Sequence, residues 1–320
     1  MYSENIANDV KLFSKAFLSN QLARFAPALY VKLTNQTGRG EKDMNTRQIA
    51  DYFIACFDEY LEQLDVNKEN AYAYLKGKLI LEYGPGDILG VALLMYAHGA
   101  ETVHCVDRFP LQKFTATNIE IYRRLLDGLD GERQERARGA FVEYGKPESG
   151  FDSSAINYLV TRDGLSGRTA QYDLIISRSV LEHVSNLQRT MADIAASLKK
   201  EGISIHKVDL KSHGLDRYQT YDFLTWPDGL YRLMYSHKGF PNRCRVDKYR
   251  DVVRLAGLSV LKLAPTELLT TEKINLIVDK VALQFRDIST EELSWMSFWM
   301  IVAPAASKQR REFQSTAIRV

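Results

Sequence analysis

The chain has 320 residues, of which 45% are hydrophobic, and its formal net charge is +2 at pH 7. This length suits one large domain or a domain with an appendage, and the balanced charge argues against disorder and against a dominant nucleic-acid surface. The three cysteines, Cys56, Cys105 and Cys244, form no C-x-x-C pair, so we expect a reducing compartment and no metal cluster. The polar start, MYSENIANDVK, and the lack of an apolar run of about 20 residues predict a cytoplasmic protein without a membrane span.

Residues 1–75 contain no strand pattern and are predicted to form a helical cap or lid. Apolar residues recur there at helical spacing, first at Val10, Phe13 and Phe17 and then at Leu22, Phe25 and Leu29. The polar stretch TNQTGRGEKDMN, residues 34–45, is typical of a loop. Asn45 and Gln48 resemble a capping pair at the start of a further amphipathic helix, which carries Ile49, Phe53, Phe57, Tyr60 and Leu64.

Residues 76–320 alternate between strand and helix patterns. Apolar strands are predicted at KLILEYG (78–84), TVHCVD (102–107), AINYLV (155–160), YDLIIS (172–177) and ISIHKVDL (203–210). Helices are predicted at ILGVALLMYAHG (88–99), LQKFTATNIEIYRRLLDGL (111–129) and NLQRTMADIAASLKKEG (186–202). The last of these has lysines in its final turn and Gly202 after it, as a helix C-terminus prefers.

An aromatic-rich segment at about 211–248 interrupts this alternation. After it come a helix, VDKYRDVVRLAG (246–257), two more strands, LSVLKLAP (258–265) and SWMSFWMIVAP (294–304), and a basic tail, SKQRREFQSTAIRV, that we expect to be solvated. The fold class follows as α/β: a Rossmann-like, mostly parallel seven-stranded sheet with helices on both faces, preceded by the helical cap.

A glycine turn, Gly84-Pro85-Gly86-Asp87-Ile88-Leu89-Gly90, follows the first strand. It departs from G-x-G-x-x-G because position 89 is Leu, and it lacks the lysine of a Walker loop. Glu82 and Asp87 flank the turn, and their carboxylates would repel a pyrophosphate but attract a cation. The pattern therefore predicts a nucleoside that carries positive charge in place of phosphates, a description that fits S-adenosylmethionine.

Three stretches in the same order resemble motifs of the class I S-adenosylmethionine-dependent methyltransferases. The glycine turn resembles their motif I, E/D-x-G-x-G-x-x-x-G. VHCVDRF (103–109) ends the second strand with an acid, and YDLIISRSVLEHV (172–184) resembles the family's fourth strand and the turn that follows it. The resemblance covers about residues 76–305 and implies S-adenosylmethionine as the cofactor.

The resemblance also implies roles for nine residues. Gly84 and Gly86 would let the ligand approach the backbone, and Glu82 would act on its methionine end. Asp107 would take the ribose hydroxyls, although an acid there could also cap a helix. The remaining residues would be Arg108 and Phe109 near the adenine, Asp163 at the adenine amino group or only in a turn, and Arg178 and Ser179 beside the methyl group.

Acceptor residues should follow the fourth and fifth strands, because ligands bind beyond the carboxyl ends of parallel strands. His183 is a possible base, although L-E-H-V recurs in enzymes with different acceptors, which favours a structural or cofactor-side role. Asp209 and His213 could deprotonate a hydroxyl or amine, or could brace a loop. His206 is expected to pack within its strand.

Two further groups leave alternatives open. The aromatics of the insertion could surround a sulfonium, shape an acceptor pocket or fill a core; they are Tyr218, Tyr221, Phe223, Trp226, Tyr231 and Tyr235. Arg243 and Arg245 could hold an acceptor carboxylate or lie on the surface, next to Asn242. No metal-ligand spacing is evident, so no metal is predicted.

The leading functional hypothesis is a biosynthetic methyltransferase acting on a small-molecule acceptor. No basic stripe indicates nucleic acid, whereas a protein acceptor stays possible and the pattern does not address oligomeric state. The alternatives are a cyclase or lyase that uses S-adenosylmethionine as its sole substrate, giving azetidine-2-carboxylate and methylthioadenosine, and a non-catalytic S-adenosylmethionine-binding protein.

Overall fold

The centre of the fold is a seven-stranded sheet with the order β3-β2-β1-β4-β5-β7-β6, in a computed structural model that describes residues 6–34, 44–239 and 241–308. Its strands are β1 Leu79–Tyr83, β2 Thr102–Asp107, β3 Ile156–Val160, β4 Tyr172–Arg178, β5 Leu198–Asp209, β6 Leu258–Leu268 and β7 Trp295–Pro304. Only β7 runs antiparallel to its neighbours, β5 and β6, within this sheet. The predicted Rossmann-like, mostly parallel sheet is confirmed.

Helices cover both faces of the sheet. They are α1 Ile6–Phe25, α2 Pro27–Thr34, α3 Thr46–Gln63, α4 Ala71–Leu75, α5 Gly90–Ala97, α6 Ala116–Asp127, α7 Gly131–Arg138, α8 Leu187–Ser197, α9 Asp228–Tyr235, α10 Val246–Leu255, α11 Thr271–Asn275 and α12 Thr290–Leu293. Short 3-10 helices lie at Lys68–Asn70, Pro147–Ser149, Leu181–His183, Asp222–Thr225, Val278–Lys280 and Leu283–Phe285. No helix among the described residues is long and apolar enough to cross a membrane.

Side-chain alternation along the strands produces two apolar cores. Ile80 of β1 and Ile176 of β4 lie in the core shared with α3, α5 and α6, whereas Leu81 and Ile175 lie in the core shared with α8 and α10. Successive residues of a strand point to opposite faces, so a strand buried on both faces is apolar throughout. This explains the continuous apolar runs that the sequence shows at β1 and β4.

Helix α3 begins with a capping box, in which the Asn45 side chain accepts from the Gln48 backbone and the Gln48 side chain accepts from the Asn45 backbone. The helix that these residues predict is confirmed. Its apolar face is buried in the core that it shares with the sheet, through Ile49, Phe53, Phe57, Tyr60 and Leu64. Helix α3 therefore packs as part of the sheet's core, although it lies within the predicted cap.

Helices α1 and α2 pack against the aromatic-rich insertion and the loop after β2. The buried Asn20 side chain donates to the Leu233 carbonyl at 2.8 Å and accepts from the Lys238 N–H at 2.8 Å. The ring of Tyr30 lies 5.7 Å from that of Phe109. The apolar stripe predicted for these helices is wrong in part, because Val10, Phe25 and Leu29 are exposed. Whether residues 1–75 act as a lid stays a prediction.

The predicted end of the helix at 186–202 is wrong. Helix α8 ends at Ser197, and β5 begins at Leu198, which pairs with Tyr172 of β4. Lys199 consequently lies in the strand, where its ammonium is 2.8 Å from a carboxylate oxygen of Asp173. A Cβ on Gly202 would lie 2.8 Å from the Tyr172 carbonyl oxygen, so this glycine permits close strand approach at an irregularity in the pairing.

Two predicted segments lie mostly outside the described residues: the polar loop at 34–45, of which residues 35–43 are not described, and the basic tail, of which residues 309–320 are not described. The stretch between β6 and β7 holds α11, α12 and two 3-10 helices that the sequence pattern did not indicate. Their shortness explains this, because one helical turn is too short to show a period.

Replacing Gly90 by Ala should separate α5 from α3. A Cβ at Gly90 would overlap the buried Phe53 ring, and such overpacking costs about 1–3 kcal/mol. Gly229 in α9 has open space around its Cβ position, so Gly229→Ala should be neutral or stabilise the fold by up to about 1 kcal/mol. Urea unfolding of both variants measures this difference, and equal stabilities would contradict the close contact between α3 and α5.

Candidate cofactor and acceptor site

The glycine turn joins β1 to α5 at the carboxyl edge of the sheet. Gly84 and Gly86 have φ of +63° and +81°, a region that disfavours side chains, and the Gly84 N–H donates to the Val106 carbonyl at 2.8 Å. A Cβ on Gly84 would lie 2.5 Å from a methyl carbon of Val180, in the loop after β4. Close contact with that loop is therefore one reason why position 84 is a glycine. The other reason, close approach of a ligand to the backbone, stays a prediction.

Two buried carboxyl groups, Glu82 and Asp107, lie at the ends of β1 and β2. Burial, together with the charge of Asp107, raises the pKa of Glu82 to about 8, while hydrogen bonds from Cys105 and a backbone N–H act in the opposite direction. Burial likewise raises the pKa of Asp107 to about 7, against hydrogen bonds from Tyr158 and Gly86. Neither group forms an ion pair within the described part of the chain, so no cation compensates a charge on either carboxyl group there.

Two tyrosines that the sequence analysis missed lie beside these carboxyl groups. The Tyr158 hydroxyl donates to Asp107 at 3.1 Å and accepts from the Leu111 N–H at 3.0 Å. The Tyr60 hydroxyl is buried near Glu82 and has no hydrogen-bond partner among the described residues. The sequence pointed to Tyr158 only in that it is a tyrosine with a polar hydroxyl in an otherwise apolar strand pattern. Tyr60 reaches the carboxyl edge only because α3 packs on the sheet.

The loops after β2 and β3 lie side by side, since a Cβ on Gly164 would lie 3.3 Å from the Cβ of Arg108. The Arg108 guanidinium lies 5.2 Å from the centre of the Phe109 ring, and burial lowers the pKa of this arginine. Asp163 is 40% exposed, and its carboxylate is 2.7 Å from the guanidinium of Arg189 in α8. An adenine contact by Asp163 stays a prediction, for which this ion pair would have to open.

Arg178, the last residue of β4, points towards α3. Its guanidinium is 2.8 Å from a carboxylate oxygen of Glu59, and the Lys207 ammonium is 2.9 Å from the same oxygen. Both cations lie within 6 Å of the Trp299 ring, at 5.8 and 5.4 Å. Ser179 follows with φ of +53°. The sequence pattern did not indicate Glu59 and Lys207, because only the tertiary packing of α3 on β4 and β5 brings these charges together.

Glu182, His183 and His213 form a cluster beyond β4 and β5. The two imidazole rings are 4.7 Å apart, and a Glu182 carboxylate oxygen is 3.6 Å from Nε2 of His183. Burial lowers the pKa of His183 to about 3 and also lowers that of His213, on which the charge of Asp209 acts in the opposite direction. Both imidazoles are therefore neutral at neutral pH, and each has a nitrogen lone pair.

Asn242 holds the backbone that carries Glu182 and His183 in place through hydrogen bonds. Its side-chain amide donates to the Leu181 and Val184 carbonyls at 2.7 and 3.1 Å, and its backbone N–H donates to the Glu182 carbonyl at 2.8 Å. The 3-10 helix Leu181–His183 is consequently held at both ends. Asn242 therefore positions the helix that carries Glu182 and His183.

The aromatic insertion is largely a core. Four of the six predicted aromatics are buried together: Tyr221, Phe223, Trp226 and Tyr231. Arg243 lies 3.8 Å from the Tyr231 ring centre and donates to the Trp226 carbonyl at 2.8 Å. Arg245 donates to the Tyr221 hydroxyl at 2.7 Å and the Leu210 carbonyl at 2.9 Å. Both arginines are buried, so a surface location is wrong for them.

His206 packs within β5 as predicted. Its Nδ1 is 2.7 Å from the Ser177 hydroxyl and its Nε2 is 2.6 Å from the Ser204 hydroxyl, and the ring is fully buried. With both ring nitrogens engaged by hydroxyl groups, His206 serves the core between β4 and β5.

Residues 52–263 match a family model described as a methyltransferase domain. The chain therefore belongs to the class I S-adenosylmethionine-dependent methyltransferase family, and its cofactor is S-adenosylmethionine. The unpaired carboxyl groups of Glu82 and Asp107 and the orphan Tyr60 hydroxyl fit this cationic nucleoside, which would supply the missing positive charge.

Several solved structures are similar to the chain. An S-adenosylmethionine-dependent methyltransferase from Mesorhizobium loti is 15% identical with a TM-score of 0.39, covering 71% of this chain and 91% of its own. Magnesium protoporphyrin IX methyltransferase from Synechocystis, with bound SAH, is 13% identical with a TM-score of 0.42, covering 82% and 89%. The (4+2)-cyclase SpnF is 14% identical with a TM-score of 0.43, covering 78% and 80%. No curated protein sequence matches the chain significantly.

Replacing Glu82 by Gln should change how stability depends on pH. Because the folded-state pKa of Glu82 is raised to about 8, the ligand-free wild type keeps a proton there that the unfolded chain loses near pH 4.5, so its stability falls as pH rises between these values. From pH 5 to pH 8 the variant should gain about 2–4 kcal/mol relative to the wild type, at about 1.4 kcal/mol per pKa unit.

Urea unfolding at several pH values measures this difference, with exposed Glu62→Gln as the control. Parallel stability curves for wild type and Glu82→Gln would contradict a buried, unpaired carboxyl group at position 82.

Proposed function

We propose that this protein transfers a methyl group from S-adenosylmethionine to a small-molecule acceptor. The observation that carries the proposal is the pair of buried carboxyl groups at the ends of β1 and β2, Glu82 and Asp107, which form no ion pair among the residues that the structure describes. A phosphate-bearing cofactor would be repelled there, whereas an ammonium beside Glu82 would relieve its raised pKa.

The proposed cofactor residues are those that the sequence indicated. Glu82 would hold the ammonium, with Gly84 and Gly86 as the turn beneath it, and Asp107 would accept from the ribose hydroxyls in the position where Tyr158 already donates to it. The others are Arg108 and Phe109 near the adenine, Asp163 at its amino group, and Arg178 and Ser179 beside the methyl group. The Glu59 contact leaves Arg178 as the least supported of these.

The loop that covers the carboxyl edge of the sheet favours a small acceptor. The loop at Gly239 lies over it: a Cβ there would overlap the His183 carbonyl and lie 3.2 Å from a guanidinium nitrogen of Arg108. That loop is held to α1 through Asn20. The insertion thus bridges the loops that follow β2 and β4, and such enclosure leaves less room for a macromolecular acceptor than for a small one.

Methyl transfer is an in-line displacement in which S-adenosylmethionine supplies the methyl group. The task of the chain is to exclude water and to align the acceptor atom with the methyl group. We propose that His183, Asp209 and His213 contact the acceptor, because they follow β4 and β5 at the edge that Glu82 and Asp107 share. A neutral imidazole has a nitrogen lone pair that could accept a hydrogen bond from a hydroxyl or amine of the acceptor.

The main alternative is a cyclase that uses S-adenosylmethionine as its sole substrate. Cyclisation needs a neutral amine, because an ammonium has no lone pair. A carboxylate at Glu82 beside the ammonium would instead raise the pKa of the amine, so the geometry favours methyl transfer. The other alternative, binding without catalysis, predicts no product with any acceptor.

Replacing Asp107 by Ala should weaken S-adenosylmethionine binding by about 1.5–3 kcal/mol, the range for hydrogen bonds to charged groups. Isothermal titration calorimetry measures the affinity, with exposed Asp279→Ala as the control. Unchanged affinity in the Asp107 variant would overturn the ribose assignment.

Purified protein given S-adenosylmethionine alone should form little product, because methyl transfer requires a second molecule. Mass spectrometry of this acceptor-free incubation checks the reaction class. Rapid formation of methylthioadenosine would establish the cyclase in place of the methyltransferase, whereas S-adenosylhomocysteine that appears only on addition of candidate acceptors would support methyl transfer.

A further inference from the structure

The Glu182, His183 and His213 cluster has the composition of a metal site. One ligand atom from each residue lies within 4.8 Å of the others. Glu182 and His183 come from one 3-10 helix after β4, while His213 comes from the loop after β5. Because His213 is far from Glu182 and His183 along the chain, the three residues form no metal-binding sequence motif, and no metal was predicted from the sequence.

Glu182 is the least satisfied of the three. Its side chain is 1% exposed by residue area, and neither carboxylate oxygen makes a hydrogen bond of normal geometry within the described part of the chain. A buried acceptor without a partner costs about 1–3 kcal/mol, a penalty that a bound cation would remove.

The surroundings hold the ligands in place. A ring nitrogen of His213 bonds to the Asp209 backbone carbonyl, which is the kind of second hydrogen bond that orients metal-binding imidazoles. His213 also has φ of +48°, a left-handed conformation that is uncommon for residues other than glycine. Asn242 fixes the helix that carries Glu182 and His183. His213 is exposed, so the cluster has an entry path from solvent.

We propose that Glu182, His183 and His213 bind one divalent transition-metal cation, with Zn²⁺ as its simplest representative. Two imidazoles and one carboxylate match the donor set of catalytic zinc sites and of other transition metals that keep open coordination positions. An open position would accept an oxygen or nitrogen of the acceptor, and this role rests on the proposed function. The imidazoles would then hold the cation instead of acting as bases.

The test uses chelator-treated, dialysed full-length protein titrated with Zn²⁺ in a calorimeter, and with Co²⁺ under visible absorption. The wild type should bind one equivalent of Zn²⁺, and Co²⁺ should show d–d bands. His213→Ala, which removes a ligand, should weaken Zn²⁺ binding by at least about 10- to 100-fold, because loss of even an outer-shell partner of a metal ligand typically weakens binding that much. His237→Ala, which removes a histidine outside the cluster, should bind like the wild type.

Glu182→Gln provides a second variant of the same shape, and it should also lose tight binding. His213→Ala keeps the test decisive if Glu182→Gln fails to fold, because position 213 is exposed. Absence of tight binding by the wild type, or equal binding by His213→Ala, would overturn the site. If the protein bound no Zn²⁺ and its methyl transfer were insensitive to chelation, the metal site alone would be overturned. If it bound Zn²⁺ but turned over no acceptor, the result would support the site and count against the proposed function.

Discussion

Strand β1 is hydrogen-bonded to β2 on one side and to β4 on the other, and the positions of Glu82, Asp107 and Arg178 follow from this pairing. The chain order reverses between β1 and β4, and ligands of open parallel sheets bind at such a switch point beyond the carboxyl ends. Parallel pairing brings those ends to one edge. Glu82, Asp107 and Arg178 therefore lie at that edge although as many as 96 positions separate them along the chain.

Buried charged groups in this molecule fall into two kinds, those compensated within the protein and those that are not. Arg243 and Arg245 are as buried as Glu82, yet each donates to backbone carbonyls and lies over aromatic rings, so its charge is compensated within the protein. Glu82 and Glu182 are buried, and neither pairs with a lysine or arginine in the part of the chain that the structure describes. An uncompensated charge in a low-dielectric interior is tolerated only by neutralisation or by a ligand of opposite charge. This contrast favours ligand binding at both glutamates.

The N-terminal residues serve two different purposes. Helix α3 completes the core against α5 and provides Tyr60 and Glu59 to the carboxyl edge. Helices α1 and α2 instead contact the insertion and Phe109, and they keep large apolar side chains such as Phe25 exposed. Helix α3 is thus inseparable from the sheet, whereas α1 and α2 are joined to the elements that cover it.

The strands of the sheet and the glycine turn could be predicted from the sequence, because strand burial and turn geometry leave short-range patterns: apolar runs at β1 and β4, a capping box at Asn45, and glycines next to an acid. The resemblance of three stretches to known motifs implied the family and the cofactor. Only the tertiary structure decided which distant side chains meet. It paired Arg178 with Glu59, placed Arg243 and Arg245 inside the aromatic core, and brought His213 to Glu182 and His183. The physical reason is that contacts between separate elements depend on packing angle and strand register, neither of which has a local period in the chain.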